Sequence, residues 1–184
     1  MIDFFIRKPK DTLTDIDVNP TPFVDSTKEY NYEAKTAKNF TIRAKYRSGS
    51  IYMAVEKDKD IIPNVTLEAK IDSSSHACTL RSIENRSEQT SNQHTGLATN
   101  MLTLLLTIIA DYNQSVAPDM AITKLTGSVN PLNPNAMQKL KKFYKKRSGL
   151  KDKHDRVYLS IDSASLRSNE LLYFIHPIHH KERT

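Results

Sequence analysis

From Phe40 onward the apolar residues of this chain follow two rhythms. Phe40, Ile42, Ala44 and Tyr46 alternate with polar neighbours, Ser48-Gly49-Ser50 turns the chain, and Ile51 to Val55 follows. A period of two on both sides of a short turn predicts a β-hairpin. Val65, Leu67 and Ala69 alternate again after Pro63-Asn64. His76 to Glu84 reads as a further strand, with Ala77, Thr79, Arg81 and Ile83 on one side and Cys78, Leu80 and Ser82 on the other. The polar run Asn85 to Asn92 reads as a loop. There the period changes: Leu97, Met101, Leu104, Leu105, Ile108 and Tyr112 recur at helical spacing and predict a helix over about Leu97 to Asn113. Leu102, Leu106 and Ile109 widen its apolar surface, so the helix is expected to pack on two sides.

After the break at Pro118, Ala121 to Val129 reads as a strand in which Gly127 marks a bulge or a close backbone approach. Asn133-Pro134 starts a second helix with a cap and a first-turn proline, and Gly149 closes it. Its inward stripe is Ala136, Leu140, Phe143 and Tyr144; Lys139, Lys141, Lys142, Lys145, Lys146 and Arg147 cover the rest. Arg156 to Ile161 and Leu171 to Ile175 read as two last strands. The stretch from Met1 to Lys35 is hard to read, and a strand, a loop and a short helix are expected there. Strands, helix, strand, helix, strands is the order of one mixed sheet covered by helices, in the α+β or α/β class.

Composition narrows the class. A chain of 184 residues suits one domain, 1–184, and 38% hydrophobic with 26% charged residues suits a soluble globular protein. Cys78 is the only cysteine, so no internal disulfide forms, and a reducing, cytoplasmic setting is expected. Met1 to Arg7 holds too short an apolar run for a secretory signal. Met101 to Ala110 is too short to span a bilayer, so no membrane partner is expected. The net charge of +6 favours anionic partners without choosing among a nucleotide, nucleic acid and an acidic protein.

The candidate chemistry sits at the mouth of the first helix. Gln93-His94-Thr95-Gly96-Leu97-Ala98 places one of four glycines there. A helix start carries backbone N–H groups without internal partners, and its dipole adds partial positive charge. Small residues at Gly96 and Ala98 would let a phosphate come close, so the segment reads as a diphosphate cradle. The plainer reading is a tight strand-to-helix turn that needs a glycine for steric reasons. There is no G-x-x-x-x-G-K-[ST] loop, no G-x-S-x-G elbow and no H-E-x-x-H helix, so nucleotide hydrolysis, serine hydrolysis and zincin chemistry lose support. His176, His179 and His180 lack accompanying Cys or carboxylate ligands at convincing spacing, so no metal is expected.

Two motifs together make the chain resemble the GNAT superfamily of N-acetyltransferases, over about Phe40 to Ile175. Gln93-x-x-Gly96-x-Ala98 with its helix is similar to the family's acyl-CoA diphosphate motif. Asn133-x-x-Ala136, Phe143-Tyr144 and Gly149-Leu150, one strand later, are similar to its second signature. Two departures stand out. The loop Asn85 to Asn92 is longer than the usual link, and the interval from Ala136 to Tyr144 is stretched by about one turn of 3.6 residues, which keeps the face. The resemblance implies a single mixed, largely antiparallel central sheet with splayed central strands, flanked by helices.

It also implies roles. The backbone of His94, Thr95, Gly96, Leu97, Ala98 and Thr99 would hold the diphosphate of acetyl-CoA, with Gln93 opening the loop. Asn133 would reach the pantetheine arm, cap its helix, or do both. Tyr144 would protonate the departing thiolate, or serve only as a core aromatic. Glu84, near the end of the strand before the cradle, is a candidate base, an electrostatic binder of a cationic amine, or a solvated strand-end carboxylate. The expected activity is direct acetyl transfer to an amine acceptor, with a homodimer compatible and nucleic acid not favoured as a partner. The alternative keeps the fold without catalysis: a basic module meeting nucleic acid or an acidic protein through Lys139 to Arg147 by phosphate contacts.

Overall fold

The computed structural model describes residues 13–19, 22–23, 29–85, 96–128, 151–153, 156–160 and 178–180, with backbone alone for Ser128 and everything after 150. The elements are β1 (Leu13–Val18), β2 (Tyr32–Thr36), β3 (Phe40–Arg47), β4 (Ser50–Lys57), β5 (Asp60–Asp72), β6 (Ala77–Asn85), α1 (Leu97–Ser115), β7 (Lys124–Ser128), β8 (Lys151–Lys153), β9 (Arg156–Ser160) and β10 (Ile178–His180). A 3-10 turn, Pro118–Met120, follows α1, where the proline sits in the first turn and needs no N–H.

All ten strands join one sheet in the order β10-β1-β2-β3-β4-β5-β6-β7-β9-β8. β1 with β10 and β6 with β7 run parallel, and every other neighbouring pair is antiparallel. The class is therefore α+β with a mixed, largely antiparallel sheet, as the element order predicts. One face is apolar: Tyr32, Ala34, Ile42, Ala44, Ile51, Met53, Val55, Val65, Leu67 and Ala69 are buried on it. Each large side chain so buried contributes about 1.5–3 kcal/mol by leaving water. α1 packs on β5 and β6 and is buried round its circumference from Thr99 to Ile109, as its wide apolar surface predicts. The far end of α1 is tied down by polar contacts. Tyr32 donates to Asp111 at 2.6 Å, and burial together with that carboxylate pushes the phenol above its usual range. Asn113 holds Ile122 at both its N–H and its carbonyl, fixing the entry to β7.

Four readings change. Among the described residues the first 35 hold two strands, β1 and the start of β2, where one was expected. β5 runs through Pro63-Asn64 instead of starting after them. The two lie where the register between β4 and β5 shifts, beyond the Glu56–Ile61 pair, and Asn64 takes φ 59° there. Gly127 is not a bulge, for it pairs in regular register with Leu80 and Val157.

The bulge is on β6 instead. Ser82 faces Glu68 and Leu80 faces Ala69, so Arg81 is an extra residue without a register partner on β5. One added residue flips the alternation. Ile83 therefore lies on the face of Leu80 and Leu67, not on that of Thr79. The second helix over Asn133 to Gly149 and the strand Leu171 to Ile175 lie outside the described residues.

Candidate functional site

The unit β6-α1-β7 sets the geometry. Because β7 is parallel to β6, α1 must return the chain antiparallel to both, which brings its N-terminus to the end of the sheet where β6 finishes. At that end the described pairing of the two strands stops. Their pairing covers Ala77 to Leu80 against Lys124 to Gly127, while β6 continues to Asn85. From Arg81 to Asn85 the β7-facing edge of β6 has no strand partner among the described residues. The opening begins at the bulge, the point where the β6 backbone turns out of regular register on its β5 side as well.

Beside this opening α1 starts on Gly96, with φ 90° and ψ 7°. That is left-handed backbone, and glycine adopts it without a Cβ penalty. A helix usually begins on an extended Ser, Thr, Asp or Asn whose side chain accepts from the first turn. Here the N-cap is a glycine with no side chain to offer, and the first turn holds no acidic residue. The Gly96 carbonyl accepts from Asn100 N–H at 3.0 Å, closing the first helical bond. The N–H groups of Leu97, Ala98 and Thr99 precede that bond and stand at the positive end of the dipole. Leu97 and Thr99 are buried and Ala98 is half-buried, so the turn is sheltered yet lined by small groups at Gly96 and Ala98.

Glu84 sits on the other side of the sheet. It pairs in register with Thr66, whereas its neighbours Ile83 and Asn85 pair with Leu67 and Val65 on the α1 face. Ser82, beside Glu68, shares the face of Glu84. The sheet thus carries the helix start on one face and a half-buried carboxylate on the other, both at the end where β6 leaves β7. The same outer face carries Arg43, which pairs with Glu33 at 3.2 Å and Glu56 at 3.1 Å. The guanidinium also lies 4.4 Å from the centre of the Tyr30 ring. Those contacts hold Arg43 against its neighbours on the outer face, with its Nε buried and making no hydrogen bond among the described residues.

Of the residues singled out in the sequence, Gly96, Leu97, Ala98 and Thr99 form the start of α1, and Glu84 lies across the sheet from them. Gln93, His94, Thr95, Asn133 and Tyr144 lie outside the described residues, as do Lys139 to Arg147 and His176. His179 and His180 belong to β10, which pairs with β1 at the sheet edge. Among the described residues no three His, Cys, Asp or Glu side chains gather to hold a metal, and no helix is long and apolar enough to cross a membrane. Three residues of the site escaped the sequence reading: Arg81 at the bulge, Asn85 at the strand end, and Asn100 inside the helix. Only Asn100 left a trace there, as a carboxamide interrupting the apolar run from Leu97 to Tyr112.

No family model and no curated protein matches the chain. It is similar to solved structures of three acetyltransferases. One is the PaiA N-acetyltransferase of Thermoplasma acidophilum in complex with coenzyme A, at 14% identity over 61% of this chain and 62% of that one, TM-score 0.44. Another is the spermidine/spermine N-acetyltransferase SpeG of Vibrio cholerae in complex with manganese ions, at 16% identity over 67% and 72%, TM-score 0.44. The third is nourseothricin acetyltransferase, at 13% identity over 83% and 87%, TM-score 0.41. The chain spans just over three-fifths, 62%, of the first of these. At such identities and TM-scores the likenesses assign no residue a role.

Proposed function

We propose that this chain transfers an acetyl group from acetyl-CoA to an amine by direct attack. The observation that carries the reading is the start of α1: a helix opened by a left-handed glycine, with no acidic residue in its first turn, at the end where the described pairing of two parallel strands stops. Such a terminus favours an anion with several oxygens. The backbone of Gly96 to Thr99 would take the diphosphate, with Gln93, His94 and Thr95 leading into it. The unpaired edge of β6 from Arg81 to Asn85 suits an extended chain that carries amide groups, as the pantetheine arm does, because a strand edge offers alternating donors and acceptors.

Acetyl-CoA brings an activated thioester to that opening. The chain's own part is to place it beside an amine and to manage one proton. Backbone groups at the Arg81 bulge, where β6 leaves regular register, would stabilise charge developing on the carbonyl oxygen. Glu84, on the opposite face, would hold a cationic amine and take its proton when nitrogen attacks. Asn133 would contact the pantetheine arm and Tyr144 would return a proton to the thiolate. Bringing both reactants into one gap supplies the entropic part of the rate enhancement.

The test is ligand-dependent stability followed by an acceptor screen. At about 100 times its Kd, acetyl-CoA bound only to the folded state should add roughly 2.7 kcal/mol. The screen uses labelled acetyl-CoA against polyamines, lysine peptides, N-terminal peptides and aminoglycosides. A melting curve unmoved by acetyl-CoA, with no label transferred, would sink the reading.

A further inference from the structure

The start of α1 holds one polar group that the scheme above leaves idle. Asn100 is 3% exposed, and its Nδ2 has no hydrogen-bond partner among the described residues. Three other buried polar side chains of α1 are satisfied. Thr103 donates to the Thr99 carbonyl and Thr107 to the Thr103 carbonyl, both at 2.9 Å, and Asp111 accepts from Tyr32. A buried donor left unpaired in a folded protein calls for an explanation, and a missing ligand is one.

The direction of the side chain says which ligand. Cα–Cβ bonds in an α-helix tilt toward its N-terminus, so a side chain covers the turn that precedes it. For Asn100 that turn is Gly96 to Thr99, the one opened by a glycine and holding no acidic residue. The idle amide thus joins the first-turn backbone N–H groups, which have no partner within the helix, and all of them are donors. A group of donors around the positive end of a dipole fits an oxyanion with several oxygens better than a neutral or cationic group. Asn85 Oδ1, the other unpartnered buried carboxamide atom at this end of the sheet, is an acceptor and does not answer to the same ligand.

We propose that Asn100 is a binding residue whose carboxamide donates to an oxygen of a diphosphate held at the start of α1. The inference rests on reading that turn as a diphosphate cradle, and it adds a side chain to a site so far made of backbone. The test is titration calorimetry of the full chain with coenzyme A and, separately, with inorganic pyrophosphate, for the natural protein, Asn100→Ala and Asn100→Asp. Loss of one hydrogen bond to a charged group should weaken both ligands about tenfold or more in Asn100→Ala. The carboxylate of Asn100→Asp, close in size to the amide, should weaken them further by repulsion.

Variants that bind both ligands as tightly as the natural protein overturn the proposal, whatever happens to their melting temperature, and leave the acetyl-transfer reading standing. Pyrophosphate binding that depends on Asn100, without coenzyme A binding, supports the proposal and removes the acetyl-CoA reading. A natural protein that binds neither ligand removes both. If the variants do not fold, the side-chain amide resonances of Asn100 are followed in the natural protein during pyrophosphate titration. A saturable shift supports the proposal, and amide signals that stay still while the ligand binds overturn it.

Discussion

Two glycines show how the same backbone state serves different ends. Gly49 (φ 78°) and Gly96 (φ 90°) both occupy left-handed backbone. At Gly49 an added Cβ would meet the Ile71 carbonyl oxygen at 2.9 Å, so that residue serves the packing of the β3–β4 turn against β5. Gly49→Ala and Gly96→Ala should each cost about 1 kcal/mol or more, since alanine does not take positive φ without strain. Only Gly96→Ala should also weaken coenzyme A binding; equal affinity in the two variants would detach Gly96 from the ligand. Asp72 is a second residue-level case. It accepts from the Ser74 hydroxyl at 2.6 Å, the Ser75 hydroxyl at 2.8 Å and the Ser74 N–H at 3.0 Å. Those hydrogen bonds, the Ser74 side chain's first, hold its carboxyl down to about 2 from an ordinary 3.8. A depressed carboxyl favours the fold above the ordinary value, and that contribution fades as pH falls from 3.8 toward 2. The carboxyl carbon shift of Asp72 should therefore titrate near the lower limit, and a midpoint at the ordinary value would show that the serine contacts do not form in solution.

At the scale of elements, β6 is defined by one residue too many. Deleting Arg81 would restore unbroken alternation while keeping Ser82 opposite Glu68 and Ile83 opposite Leu67, so the bulge is lost and the register with β5 survives. With the core contacts of Ile83 kept, the deletion should cost no more than about 1 kcal/mol. Arg81→Ala keeps the bulge and, at an exposed position, should stay within about 0.5 kcal/mol of the natural protein. Urea midpoints of the two variants test this, and a deletion midpoint far below that of Arg81→Ala would show that β6 needs the bulge to hold its register. The bulge also marks where sequence reading stopped. β3, β4 and α1 were legible because their apolar residues keep a strict period of 2 or 3.6. An exposed arginine in a half-polar strand looks the same whether or not it is an extra residue, so the switch of Ile83 left no mark. β1 was obscured likewise. Its buried Leu13, Ile16 and Val18 break the period of two, because the register with β2 shifts between Leu13 and Asp15. β5 was truncated in the reading because Pro63 has no N–H to give a ladder, and only the register shift makes room for it. The cradle itself was legible as a glycine before a helix. The orphaned amide of Asn100 needed the burial of its surroundings to be seen.

For the whole molecule the decisive property is that the sheet has two unlike faces. α1 and the apolar core occupy one, and its open helix start lies on that side. The other face carries Arg43, Thr66, Glu68, Ser82 and Glu84 in register across neighbouring strands. On the proposed function, acetyl-CoA and the amine approach the gap from opposite faces, so neither blocks the other and both are present when the bond forms. The chain also lacks a cysteine able to carry the acetyl group between two half-reactions. Cys78, the single cysteine, is fully buried beside β7 on the core face, and burial pushes its thiol up to about 12. A protonated, inaccessible thiol is a poor nucleophile. Initial rates measured against acetyl-CoA at several fixed amine concentrations should therefore give intersecting reciprocal lines, the pattern of a ternary complex. Cys78→Ala should keep kcat within about threefold of the natural protein, because a buried cysteine acts as a small hydrophobe and its loss is felt in stability first. Parallel lines, or a burst of labelled acetyl group left on the protein without an amine, would show that the two faces do not work at the same moment.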